Sequence, residues 1–398
     1  MSRKASTFGG ILLVAGTTIG GGMLALPVLT SLAGFLPSLL LYFLCWLFMA
    51  GTGLLFLEIS DWMHQESNIV SMAEKTLGIP GKVVAWCVYI FLFYSLTLAY
   101  VAGGGGLFVE LFQGWLPVWA GSLVFVGLFA PFVYAGPWVV GRLNIFLMCG
   151  LALFYVLFVC LGAPYVDSKL LAYQNWNYLP AAFPIAFAAF AYQGIIPTLV
   201  TYMHQDYRRT RIAIVVGSFI PLVTYIIWQW LILGIVPAFG EGSLHEALKQ
   251  GSNAVQPLKN VLDAPYIYAA GQFFAFFALV TSFFGVTLGL LDFLADGLQI
   301  PKDRWGCTLL CLAIFVPPLL IAHGYPHVFL IALEHAGGIG CAILLGLLPI
   351  LMTWKGRYQL NLKAPYQLPG GRWTLGIMLF FVLIELCFEG FVLFNKFS

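Results

Sequence analysis

Gly16-Thr17-Thr18-Ile19-Gly20-Gly21-Gly22 lies in the middle of the first apolar run of the chain. Between Ala5 and Gln65 the only charged residues are Glu58 and Asp61, so the run from Phe8 to Leu32 belongs in lipid. Glycine weakens a helix by about 1 kcal/mol per residue relative to alanine. An opened helix in lipid also finds no water for its N–H and C=O groups. Four glycines within seven residues therefore have two explanations. They permit a close helix contact of the GxxxG kind, a spacing that Gly16 and Gly20 fit. Or they let the helix open over a cavity, as broken helices do in transporters.

Composition places the whole chain in the membrane. Its 398 residues are 61% hydrophobic and 9% charged, with a mean hydropathy of +0.94, whereas a soluble domain is about 25% charged. Eleven apolar runs are long enough to cross a bilayer: 8–32, 34–60, 82–112, 117–136, 142–164, 180–203, 211–238, 266–297, 305–323, 326–353 and 374–396. The expected class is an all-α polytopic membrane protein forming a single transmembrane domain over residues 1–398. The first run is too long for a signal-peptide core and a second span follows at once, so no cleavable signal is expected. The eight cysteines contain no CxxC pair and read as small buried hydrophobes. Amphipathic stretches at Ser67–Leu77 and Ser243–Leu262 are expected to lie along the interface or to cap a vestibule.

With the N-terminus cytoplasmic, 14 of the 18 Lys and Arg fall on the inside: Arg3, Lys4, Lys75, Lys82, Arg142, Arg208, Arg209, Arg211, Lys302, Arg304, Lys355, Arg357, Lys363 and Arg372. Lys169, Lys249, Lys259 and Lys396 fall outside, and the C-terminus is then periplasmic. The spans divide into two groups of five, residues 1–164 and 180–353, with 374–396 as an additional helix. An odd number per group makes the second an inverted copy of the first. Span six, the counterpart of span one, carries Pro184, the run Ala189-Phe190-Ala191-Tyr192-Gln193-Gly194, and Pro197. Proline and glycine interrupt it near its centre. Interruptions at matched positions of inverted halves point to a transporter's binding site, and they favour the opened-helix reading of Gly16–Gly22.

Such a site has definite chemistry. The N–H groups of Gly20, Gly21 and Gly22 begin a half-helix and suit a carboxylate. Carbonyls near Ala15, Gly16 and Thr17, with those of Phe190, Ala191 and Tyr192, suit an ammonium. Together they match a zwitterionic amino acid without any charged side chain. Spans three and eight should complete the pocket with aromatic groups such as Tyr94 and Phe283. Gly103–Gly106 lacks a GK[ST] ending and is read as letting span three approach the broken helices. Among ionisable groups inside spans, Glu334 and His335 are the candidates for handling a proton. Glu385 and Glu389, outside the repeat, read as packing or oligomer contacts, and Glu58 and Arg142 as residues reaching headgroups. His323 and His327 flank Gly324 and Pro326 at a turn, so no metal is assigned to them.

These residues resemble a known family. Gly16–Gly22 resembles the G-x-x-I-G-x-G signature in the first span of amino-acid permeases of the APC superfamily. Ile11–Pro27, Leu98–Gly105, Phe190–Thr198 and Thr281–Asp296 are similar to the hydroxy and aromatic amino-acid permeases, most of all to bacterial tyrosine-specific transport proteins and then to tryptophan-specific ones. The similarity runs over essentially the whole chain. It implies a LeuT-type fold, a place in the bacterial cytoplasmic (inner) membrane, and import of tyrosine by proton symport. It also implies a substrate site at Gly16–Gly22 (Gly16, Thr17, Thr18, Gly20, Gly21, Gly22) and Phe190–Gly194 (Phe190, Ala191, Tyr192, Gln193). Thr281 and Ser282 offer a hydroxyl pair that ligates sodium in relatives using that ion, so the coupling ion stays open between proton and sodium. No cofactor, nucleic acid or obligatory protein partner is expected; the partners are an amino acid and the bilayer. An intramembrane enzyme acting through Glu334 and His335 would want a nucleophile or metal in the same layer, and none is found. A channel would want a continuous polar face, which these spans lack. With no GxxxxGK[ST] motif, ATP-driven transport would need a separate subunit.

Overall fold

The computed structural model describes residues 6–63, 68–112, 115–325 and 327–397. Arg3, Lys4, Ser67 and Pro326, singled out above, lie outside the described residues, and so does the side chain of Lys396. Each expected span is a helix or a helix pair. Span one is Thr7–Thr18 followed by Gly22–Thr30, bent by 54°. Spans two to five are Phe35–Asp61, Ile79–Leu111, Val118–Ala135 and Pro137–Gly162. Span six is Phe183–Ala189 followed by Ile196–Tyr202, and spans seven to nine are Tyr207–Ile235, Pro265–Leu298 and Arg304–Gly324. Span ten runs from Phe329 to Tyr358, with Ala336–Leu347 wound in wide i→i+5 turns. Gly371–Phe397 is span eleven.

The packing repeats between the two halves. Span one lies on span seven while span six lies on span two, and span five lies on span eight while span ten lies on span three. Spans three and eight also pack on each other, so they form the shared centre of the bundle. The broken spans are among the most enclosed: Met23 to Val28 and Pro184 to Phe187 are all buried. Phe8 and Leu12 at the start of span one, and Phe146, Leu153, Leu320 and Phe380 of spans five, nine and eleven, face outward, as a lipid-facing surface requires.

Loops fasten the ends. The Asn175 amide donates to the Ala33 carbonyl at 2.8 Å, and Tyr173 Oη donates to Leu32 O at 3.2 Å. Gly34, between spans one and two, has φ +89°, and a Cβ there would overlap the Tyr173 carbonyl. Only glycine fits this crossing. The first amphipathic stretch forms helix Ile69–Leu77 with a reciprocal Asn68/Ser71 cap. The second forms Leu244–Gln250, capped by Ser243, and Leu258–Val261. Between these, the Ala254 amide donates to Leu24 O at 3.0 Å, so this segment is tied to the second half of span one. A polar cavity of about 210 Å³ beside it is lined by Glu110, Glu246, Gln256 and Lys259, among others.

Two sequence expectations are corrected here. Glu58 does not reach for headgroups. It is fully buried and gripped by Arg357, whose Nε donates to Oε1 at 2.6 Å, while the Leu368 amide donates to Oε2 at 3.2 Å. The pair fastens span two to span ten and the following loop. Gly103–Gly106 does not admit the broken helices: Gly103 meets Phe329, Gly104 meets Phe125, and Gly105 meets the Ser122 backbone of span four. By contrast the Asp292–Lys302 pair, 2.9 Å long, is exposed. Hydrogen bonding to Asp292 raises the Lys302 pKa, and so exposed a pair adds little stability.

Breaking a buried pair by removing one partner costs about 3–5 kcal/mol, whereas replacing both with apolar groups is often neutral. Glu58→Ala should therefore lower the unfolding temperature of the detergent-solubilised protein substantially. Glu58→Met combined with Arg357→Met should recover most of the loss. A single variant that melts with the wild type would contradict this role.

Candidate functional site

Both interruptions lie where the sequence places them, and each is satisfied from inside the bundle. The first half of span one ends with the Ile19 amide donating to Ala15 O at 2.9 Å, and Ile19 itself is extended. The second half restarts with the amides of Met23 and Leu24 donating to Gly20 O and Gly21 O, both at 3.1 Å. In span six, Phe190 and Tyr192 leave the helix before Gly194, and a tight turn at Gln193–Ile195 starts the second half. Pro197 stands in the first turn of that half, where its missing N–H costs nothing.

Gly16, Gly20, Gly21 and Gly22 each face a different helix. A Cβ on Gly16 would lie 3.1 Å from Met148 of span five, and one on Gly21 would lie 2.6 Å from the Tyr100 ring of span three. On Gly20 it would overlap Ser282 Oγ of span eight, and on Gly22 it would sit 3.4 Å from Ala189 Cα of span six. Close approach and helix opening thus occur together here. Gly22 and Ala189 bring the two breaks face to face.

Two side chains hold the opened backbone. The Gly21 amide donates to Ser282 Oγ at 2.9 Å. Tyr225 of span seven, fully buried, places its hydroxyl 2.7 Å from Thr18 O and 2.9 Å from Ala189 O. These are the last carbonyls of the two first half-helices, and one hydroxyl proton serves both in a three-centre bond. The Tyr225 ring rests edge-on against Phe190, 5.1 Å between centroids. Neither the Tyr225 bridge nor the Ser282 contact is read from the sequence above. One signal was available for Tyr225, since polar side chains are costly inside a span.

The other expected residues divide. Thr17 and Thr18 donate their hydroxyls to Leu13 O and Val14 O, both at 2.8 Å, one turn back in their own helix. Ala191 is half-buried and Phe190 is buried beneath the gap. The side chains of Tyr192 and Gln193 turn away to span two: Tyr192 Oη donates to Met49 O at 3.3 Å, and Gln193 Nε2 donates to Met49 O at 3.1 Å and Thr52 Oγ1 at 3.0 Å. Gln193 Oε1 also accepts from the Tyr192 amide at 2.9 Å, which fixes the turn. Tyr94 bonds Ala313 O of span nine at 2.8 Å, and it is Tyr100 that fronts Gly21. Phe283 packs among Phe125, Phe129, Phe284 and Phe315. Thr281 Oγ1 donates within its own helix to Phe277 O at 2.8 Å and Ala278 O at 3.1 Å.

Glu334 and His335 stand on span ten, in the helix Phe329–His335. His335 Nδ1 lies 2.8 Å from Glu389 Oε1 of span eleven. This joins two sequence features that were read separately.

The whole arrangement has known counterparts. The tryptophan/tyrosine permease family model matches residues 3–388. Tyrosine-specific transport system 2 of Haemophilus influenzae is 31% identical over 386 residues, covering 94% of each chain. Tyrosine-specific transport system 1 of the same organism is 33% identical over 379 residues, again covering 94% of each. Its tryptophan-specific transport protein is 30% identical over 400 residues, covering 96% of this chain and 95% of the other. A crystal structure of MhsT in complex with L-phenylalanine matches with a TM-score of 0.64 at 16% identity, covering 97% of this chain and 100% of that one. The fold is accordingly the LeuT type, two inverted groups of five helices with broken first members and one added helix.

Leaving a buried carbonyl without a donor costs about 1–3 kcal/mol, and such a cost is read locally by hydrogen exchange. Tyr225→Phe should keep the ring packing yet speed exchange of amides in 15–23 and 186–196 by about tenfold. Wild-type exchange in both segments would show that the hydroxyl does not hold them.

Proposed function

Because the chain belongs to the tryptophan/tyrosine permease family, we propose that it imports tyrosine across the bacterial cytoplasmic membrane by proton symport. Members of that family are transport proteins, and the chain is a transporter of aromatic amino acids, not an enzyme. The observation that carries the site is the meeting of the two breaks, Gly22 against Ala189, under one shared hydroxyl. Amides that open one half-helix and carbonyls that close two others suit a zwitterion at membrane depth. On arrival, the substrate carboxylate takes the Gly21 amide over from Ser282, and the ammonium goes to the carbonyls around Thr17, Ala191 and Tyr192. Tyr100, against Gly21, and Phe190, at the end of Phe183–Ala189, are the rings we assign to the aromatic side chain of the substrate.

Transport then follows from movement about the breaks, the same site being reached from either side in turn. The excess of Lys and Arg on one side supports a cytoplasmic N-terminus and a periplasmic C-terminus. The hydroxyls of Thr281 and Ser282 are both engaged, one with its own helix and one with Gly21. Neither engagement uses up the oxygen lone pairs that would ligate sodium, so sodium is the second reading of the driving ion. Tryptophan is the second reading of the substrate, because a tryptophan-specific relative is as similar as the tyrosine-specific ones.

Purified protein in vesicles separates these readings. An inward proton gradient should drive uptake of labelled tyrosine, with unlabelled tryptophan and phenylalanine competing weakly. Drive by a sodium gradient alone would move coupling to Thr281 and Ser282. Displacement of tyrosine by a small excess of tryptophan would make tryptophan the substrate.

A further inference from the structure

Span eleven lies outside the repeat, yet it carries two carboxyl groups one helical turn apart that point into the bundle. Glu385 is fully buried, and neither of its carboxyl oxygens has a hydrogen-bond partner. Glu389 is 4% exposed and holds His335 Nδ1 at 2.8 Å, while His335 itself is 26% exposed. The three groups descend in exposure from His335 through Glu389 to Glu385. An ionised carboxylate left bare in an apolar interior is far too costly to persist, so a lone buried carboxyl inside a span is a site for a proton.

We propose that Glu385, reached through Glu389 and His335, is the group that binds and releases the coupled proton of the transport cycle. The inference rests on the proton-symport reading above. The steps balance simply. His335 accepts a proton from the aqueous side and passes it to the Glu389 carboxylate, which passes it on to Glu385. Glu385 gives it up to water on the cytoplasmic side when the inward-facing state wets the cluster, so the carboxylate forms only where it is hydrated. In the proposed orientation span ten enters from the periplasm at Phe329, and His335 lies six residues along, about 10 Å into the span. The relay therefore opens toward the side from which an inward proton gradient acts.

The surroundings of the cluster explain how charge there can be felt at the substrate site. The titratable groups near enough to feel a charge on Glu385 are Glu389 of its own span, Glu334 of span ten and Cys45 of span two. Phe183–Ala189 of span six also packs against span eleven and carries no titratable side chain. Lys355 and Arg357 belong to the other end of span ten, and Arg357 is held by Glu58. Span ten changes to wide i→i+5 turns directly after His335, a rare winding that marks functional positions. In that stretch Gly338 lies against the Glu389 carboxyl, 2.8 Å from a Cβ to Cδ, and Gly337 presses on the Pro184 carbonyl of span six. Pro184 belongs to the half-helix that ends at Ala189, beneath Tyr225. The cluster and the substrate site thus share one rigid element, Phe183–Ala189.

The test compares two assays of one protein in vesicles, each with labelled tyrosine and separately with labelled tryptophan. Exchange across the membrane at equal pH reports substrate movement, and accumulation under a gradient of one pH unit reports coupling. Such a gradient supports at most about tenfold accumulation for each coupled proton. Glu385→Gln keeps the shape of a protonated carboxyl, and it should still exchange substrate while losing that accumulation. Wild-type accumulation in Glu385→Gln would overturn the assignment and leave proton symport standing. A wild type indifferent to the pH gradient would overturn symport and this inference together. Should Glu385→Gln fail to reach the membrane, Glu389→Gln is read instead. It should slow gradient-driven uptake several-fold and shift its dependence on external pH, and an unmoved pH profile would overturn the relay.

Discussion

Lipid offers no hydrogen bonds, and a helix that opens within it must find partners for its freed backbone inside the protein. Two spans of this chain open, and they open opposite each other. Ser282 takes up the Gly21 amide and Tyr225 takes up the ends of both first half-helices. With Gln193 Oε1 taking the Tyr192 amide, three side chains serve the opened backbone among the described residues, which leaves other backbone groups of the gap for a ligand. The same scarcity of partners that forbids loops at this depth elsewhere makes the gap a recognition site here. A zwitterion brings the donors and acceptors that the opened helices want, so its binding and the stability of the breaks reinforce each other.

The remainder of the bundle holds this arrangement at a distance. Glu58 and Arg357 clamp span two to span ten at one end, bidentate and almost wholly shielded from solvent, and such a pair contributes register more than net stability. Near the other end Gln229 bridges Tyr42 and Thr30 at 2.7 Å each, so spans one, two and seven share one buried network. Tyr225 lies one turn before Gln229 on the same helix. Span seven therefore holds both the break of span one and the end of its second half. Movement of span one cannot be independent of it.

The sequence makes the breaks legible and leaves their partners unread. Glycines clustered in lipid, and a proline-flanked interruption in the matched span, carry a physical cost that has to have a reason. Tyr225 carries less of a signal, being one of 18 tyrosines in a chain that is 16% aromatic. Tyr94 and Tyr100 show the difficulty plainly. They are six residues apart, about 240° around the helix, so one bonds span nine while the other fronts Gly21. Choosing between them requires the rotation of span three, which a helix apolar on all sides does not reveal. Glu389 and His335 are 54 residues apart on different spans, and no periodicity links them. Glu58 was equally opaque, because a carboxylate near a span end looks the same whether it meets water or a buried arginine.

The central claim is that the opened backbone of spans one and six recognises the charged ends of an amino acid. Equilibrium binding to the purified protein tests it most directly, comparing tyrosine with tyramine, which lacks the carboxylate, and with N-acetyltyrosine, which lacks the ammonium. The account predicts that either change weakens binding by at least about a hundredfold, since a desolvated charge-assisted contact is worth about 1.5–3 kcal/mol and the backbone groups left behind stay unpaired. Tyramine or N-acetyltyrosine binding as tightly as tyrosine would contradict it, and would place recognition on the side chains instead.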